Sequence, residues 1–154
     1  MTYEVPRSVV EAFYMVYAAR DVKKVAEFLA DDAEWTISGP IDLLPFCGSH
    51  RGKDNIIDMI SRQVPQVLQT FSFVAEAMLV QGDRAAMLSR QSARRTEDGR
   101  TMSFRVANFM RFRDGKLVEN LSLIDSFDAV EQVLGHPLAP PDGGRGDSGD
   151  LVAV

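Results

Sequence analysis

The chain has 154 residues, 45% of them hydrophobic, enough for one sizeable core and the usual length of a single domain. Its net charge of −5 lacks the concentrated positive field that nucleic acid requires, although Arg90, Arg94, Arg95, Arg100, Arg105, Arg111 and Arg113 cluster in sequence. A single cysteine, Cys47, excludes an intrachain disulfide framework, no apolar run approaches the ~20 residues of a membrane span, and no cationic leader opens the chain, so a cytoplasmic protein without a membrane partner is expected.

From Ser8 to Arg20, Val9, Val10, Phe13, Val16 and Tyr17 recur at helical spacing. Asp21 then stands where an N-cap accepts a backbone N–H, and Val22, Val25, Ala26, Phe28 and Leu29 continue as a second, short helix. Residues 33–38 alternate as a strand that ends at Gly39-Pro40, and 39–52 read as an irregular, apolar loop around Leu43, Leu44 and Phe46. A third helix runs from Lys53 to Gln69, with Pro65 kinking or terminating it. Four strands follow, 71–81, 84–96, 101–113 and 116–125, and Asp98-Gly99 and Asp114-Gly115 mark hairpins of an antiparallel meander.

In 104–112, Phe104, Val106, Met110 and Phe112 share one side while Ala107 and Phe109 take the other, so the sheet needs cover on both faces. Helices supply one cover, and a second copy of the chain, packed sheet to sheet, is expected to supply the other as a homodimer. A terminal helix ends at Gly135, closing a domain of residues 1–135, and the Gly/Pro/Asp-rich 136–154 read as a flexible tail.

Three stretches, DVKKVAEFLADDAEW (21–35), FCGSHRGKD (46–54) and DGKLVENLSLIDSFDAVEQVLG (114–135), together with the order of elements, resemble the SnoaL-like polyketide cyclases and ketosteroid isomerase-like proteins of the nuclear transport factor 2-like superfamily. The resemblance covers roughly residues 8–135. It implies an α+β class and a cone-shaped, cystatin-like fold, three N-terminal helices on a curved, mostly antiparallel sheet whose concave face holds a small-molecule pocket.

By that resemblance Phe13, Trp35, Ile37, Leu88, Arg90, Ser92, Val106, Asn108, Asn120, Ser122 and Ile124 face the pocket, with Tyr17 and Phe46 completing an apolar wall. Met59, Met78, Met102 and Met110 suit the same surroundings. The ketosteroid isomerase machinery is not matched: its base position falls on Ile37, its helix-one tyrosine on Phe13 and its protonated carboxyl donor on Asn108. Epoxide hydrolysis by an Asp-Arg-Asp set is matched only near Arg90 and Ser122, without the paired aspartates. Where SnoaL-like cyclases often carry His and Asp, Asn120 and Ser122 stand here.

Four residues remain as candidate catalytic groups. Asp125 is placed near the acid/base carboxylate of the cyclases, or else caps the terminal helix. Arg90, if it points inward, must meet an anion, either an internal carboxylate or an acidic ligand. His50 serves as a base at the pocket mouth or ties down its loop, and Asp42 enters with a closing lid or caps a turn in solvent. No P-loop, HExxH, GxSxG or CxxC pattern occurs, and no cofactor or metal is expected. Two readings follow: a cofactor-free acid/base enzyme of isomerase, cyclase or hydratase type acting on a small apolar oxygenated substrate, or a non-catalytic binding module for a hydrophobic acid. A third, an interaction protein docking a different partner on its sheet, competes with the homodimer for the same face.

Overall fold

The structure, a computed structural model, describes residues 2–138, apart from the side chains of Thr70 and Phe71. Of the tail expected from the sequence, residues 139–154 lie outside the described residues. Helix α1, Arg7–Ala18, buries Val10, Phe13 and Tyr14, the face its spacing dictates. Asp21 caps α2, Val22–Phe28, by accepting the Lys24 N–H at 3.2 Å.

Strand β1, Leu29–Ser38, follows α2 without the expected break at 30–32; a bulge between Leu29 and Glu34 takes up the irregularity. The loop then closes tightly, since a Cβ at Gly39 would lie 2.6 Å from Cys47 Sγ. Part of that stretch, Gly48–Arg51, pairs with β1 as a short edge strand, β2, where the sequence reads only as loop.

The third helical stretch is composite: α3, Lys53–Asp58, a π-helical turn, Met59–Gln63, and α4, Val64–Val67. Pro65 has no N–H to return to the preceding turn, and the Val64 N–H bonds instead to the Met59 carbonyl, the wider π register. Leu68 leaves the helix directly into β3, Leu68–Gln81. Strands β4, Arg84–Arg95, β5, Thr101–Arg113, and β6, Lys116–Ile124, complete the meander. At Asp114-Gly115 both residues have positive φ, 50° and 77°, the mirror-image turn that suits the twist of a two-residue hairpin. Helix α5, Ser126–Leu134, ends at Gly135 in the left-handed region and is tied to β5 by Gln132, which exchanges two hydrogen bonds with the Ser103 backbone.

The sheet order is β2-β1-β6-β5-β4-β3, antiparallel throughout except where β1 lies parallel to β6. This is the α+β architecture expected, a curved, mostly antiparallel sheet with helices against one face. The parallel register sets Trp35 beside Asn120 and Ile37 beside Ser122, and the next pairing sets Asn108 beside Ser122. Three strands thus bring their polar inward residues to one place. An aromatic cluster covers them from the helical side: Phe13 lies 5.8–6.3 Å, centroid to centroid, from Tyr17, Phe28, Trp35 and Phe112.

Candidate functional site

A narrow cavity opens on the inner sheet face, lined by Tyr17 from α1, Ile37 from β1, Phe46 from the loop, Met59 and Val64 from the helical stretch, and by Phe73, Gln91, Phe104, Val106, Asn108, Ser122 and Ile124 from the sheet. Its volume is about 30 Å³, room for little more than one water, so any larger ligand requires the walls to part. Arg20, Val64 and Leu68 line this cavity and also a neighbouring groove of about 290 Å³, and these three side chains form the wall between the two.

The polar floor is joined by mutual hydrogen bonds. Trp35 Nε1 donates to Ser122 Oγ at 3.1 Å, Ser122 Oγ donates to Asn108 Oδ1 at 2.6 Å, and Asn120 Nδ2 donates to Ser122 Oγ at 3.2 Å and more weakly to Asn108 Oδ1 at 3.5 Å. All four residues are buried, and such a network is stable only when its members satisfy one another. Asn120 Oδ1 is left buried without a hydrogen-bond partner. Deeper still, burial pushes the Tyr14 phenol up, opposed chiefly by Ser89.

Arg20 also lines the cavity, with its guanidinium 5.3 Å from the centre of the Tyr17 ring and 5.6 Å from that of Phe73. Its backbone is left-handed, φ 57°, two residues past the end of α1. Sequence reasoning missed Arg20 because it lies past the helix end; the available signal was an arginine three residues after Tyr17. It also missed Phe73, Gln91 and Phe104 as lining residues.

The structure places the other expected residues as follows. Tyr17, Ile37, Phe46, Val106, Asn108, Ser122 and Ile124 line the cavity, whereas Phe13, Trp35 and Asn120 lie buried behind its lining. Leu88, Arg90 and Ser92 are corrected: on β4 the buried residues are Ala85, Met87, Ser89, Gln91 and Ala93, so these three face outward. A one-residue error in phase carries every side chain of a strand to the other face. Arg90 meets an anion there, Glu76 at 3.5 Å, shared with Arg105 at 3.0 Å on the outer surface. Asp125 is exposed and caps α5, accepting the Asp128 N–H at 3.4 Å. His50 is part-buried, with Nε2 on the Phe46 carbonyl at 2.8 Å, and Asp42 is exposed in its turn. None of these four lines the cavity.

Residues 10–120 match the SnoaL-like domain family, and the chain belongs to it. A solved structure from Rhodopseudomonas palustris, provisionally named an isomerase, is 31% identical and superposes with a TM-score of 0.72 over 82% of this chain and 93% of that one. An NTF2-like protein from Burkholderia pseudomallei, 22% identical, gives 0.74 over 82% and 95%. TerC, co-crystallised with polyporic acid, is 20% identical and gives 0.73 over 82% and 96%. No curated protein matches the chain. Among the described residues no helix is long and apolar enough to cross a membrane.

Proposed function

We propose that the protein binds a small, largely apolar organic acid in the inner cavity, with the acid group held by Arg20. One observation carries this reading: a guanidinium lines an otherwise mainly apolar cavity and is stacked on Tyr17 and Phe73. A guanidinium stays charged at any ordinary pH, and a carboxylate or enolate matches its fork of donors. Gln91 and Asn108 add neutral polar groups for further oxygens, while Met59 and Phe46 supply side chains able to give way as the cavity widens. The acid role assigned from sequence to Arg90 therefore passes to Arg20. The reading is tested with arylalkanoic acids and their methyl esters. Acids should bind the wild type more tightly than esters, and Arg20→Gln should weaken the acids by at least about tenfold while leaving the esters unchanged. Equal binding of acids and esters would refute it.

Isomerase-type acid/base chemistry is the second reading, favoured by the 31% identity to the Rhodopseudomonas protein. There Asp125, which follows the lining residue Ile124, is the proton-transfer group, and full turnover by Asp125→Asn on an identified substrate would eliminate that role.

We further propose that a second copy of the chain covers the outer sheet face. Leu79, Phe109, Leu121 and Leu123 are exposed there, and Phe109 is 52% accessible at the centre of the sheet. Pairing sets Leu79, Ala86, Phe109 and Leu121 in one row across four strands, a contiguous apolar band of the kind that marks interfaces. A cytoplasmic location is in keeping with the free thiol of Cys47.

A further inference from the structure

Ser122 has one hydroxyl proton and two lone pairs, and its partners use all three. Trp35 Nε1 and Asn120 Nδ2 both donate to Oγ, which leaves the hydroxyl proton only for Asn108 Oδ1, at 2.6 Å. The 2.6 Å between Ser122 Oγ and Asn108 Oδ1 is the length of an O–H···O bond and short for an N–H···O one, which orients the Asn108 amide, and turning the Asn120 amide over against it would set two amide oxygens together. Asn108 Oδ1 in turn accepts from both Ser122 and Asn120, which spends its acceptor capacity. What Asn108, a lining residue, has left to offer a ligand is the pair of N–H donors on Nδ2.

We propose that Trp35 and Ser122 are positioning residues that lock the Asn108 carboxamide as a hydrogen-bond donor to the cavity. The inner end of the ligand is then an acceptor oxygen of the carbonyl class. Trp35 and Ser122 act only through Asn108: Trp35 is 2% accessible and does not line the cavity, yet its N–H removes one of the lone pairs that would let the hydroxyl of Ser122 swing round. Without that restraint the Asn108 amide is free to turn and present its oxygen, and the floor loses its preference for acceptors. This inference deepens the binding reading by naming what meets the inner end, but it does not depend on the acid clamp.

The test uses two ligand pairs that differ only in an inner oxygen, 4-oxo-4-phenylbutanoate against 4-phenylbutanoate, and acetophenone against ethylbenzene. Affinities are measured by ligand-observed NMR on the intact protein. The wild type should favour each ketone by about five- to tenfold, the factor for one neutral hydrogen bond. Ser122→Ala and Trp35→Phe should bring both ratios towards one, and Ser122→Thr, which keeps the hydroxyl, should restore them. Asn108→Leu should abolish the preference. The neutral pair separates the two claims: if the acids fail but acetophenone still outbinds ethylbenzene, the Arg20 reading falls and the donor floor stands. Absence of ketone preference in the wild type, including absence of binding by all four probes, overturns the inference. So does a preference that survives in Ser122→Ala with its near-ultraviolet circular dichroism intact.

Discussion

The two faces of β4, β5 and β6 come from the same strands, one residue out of phase, and meet opposite fates. Inward, Phe104, Val106, Met110 and Phe112 of β5 are buried with Asn108 among them, and the polar atoms there depend on partners inside the protein. Outward, Phe109 stands exposed between Ala86 and Leu121, while Arg90, Arg105 and Glu76 pair in solvent. The buried face is specified by mutual satisfaction and the exposed face by what can still be added to it. On the proposed reading, ligand recognition belongs to the first and association between copies to the second.

That contrast fails if the inner face tolerates truncation. Phe13→Ala removes the ring that meets Tyr17, Phe28, Trp35 and Phe112, and is expected to cost about 3–5 kcal/mol in urea unfolding. A cost near that of a surface substitution would mean that the aromatic cluster is loosely packed.

Chemical reactivity gives a second, smaller effect. Burial pushes the Cys47 thiol up to about 11, and the thiolate is the reactive form. At pH 8 iodoacetamide should modify native Cys47 on the order of a hundredfold more slowly than an unfolded thiol. Rapid labelling of the native protein would show the Gly39–Cys47 loop opening.

The outer face is sharpened by Phe109→Asp. Sedimentation equilibrium should show the wild type as a dimer and the variant as a monomer, while the stability of the isolated subunit shifts by no more than about 0.5 kcal/mol. A monomeric wild type would return that face to some other partner.

The smallest effect lies on the surface of the helical stretch. Hydrogen bonds from Arg62, and next from Gln63, hold the Asp58 carboxyl down to about 2, below its ordinary 3.8. A depressed folded-state value contributes stability above pH 3.8 that is lost as pH falls through about 2. Asp58→Asn should slightly flatten the acid limb of stability in that window and leave neutral pH nearly unchanged, since the pair is exposed.

Strand β5 was legible in the sequence because its two phases differ sharply: the large apolar residues alternate with Arg105, Arg111 and Arg113. In β4 both phases mix small and polar residues, Ala85, Ser89 and Gln91 against Ala86, Leu88 and Ser92, so hydrophobicity hardly separates them. The informative contrast was charge, since Arg84, Arg90 and Arg94 share the outward phase. Arg20 was hidden for a different reason. No helical or strand periodicity governs a residue with φ 57° past a helix end, and its place at the cavity depends on Phe73, more than fifty positions on. The edge strand Gly48–Arg51 is too short, at four residues, to show an alternation.

The parallel contact between β1 and β6 has a consequence for synthesis. Trp35 and Ser122 stand 87 positions apart, and everything between them must leave the ribosome before their bond can form. Helices α1 to α4, with β3 and β4, can gather earlier, from neighbours close along the chain, whereas the floor of the cavity waits for the last strand. Such long-range closure slows folding, and a nascent chain halted before residue 116 carries the arginine and the aromatic wall but nothing to receive the inner end of a ligand. On the proposed reading, competence to bind arrives late, as β6 slides in between β1 and β5.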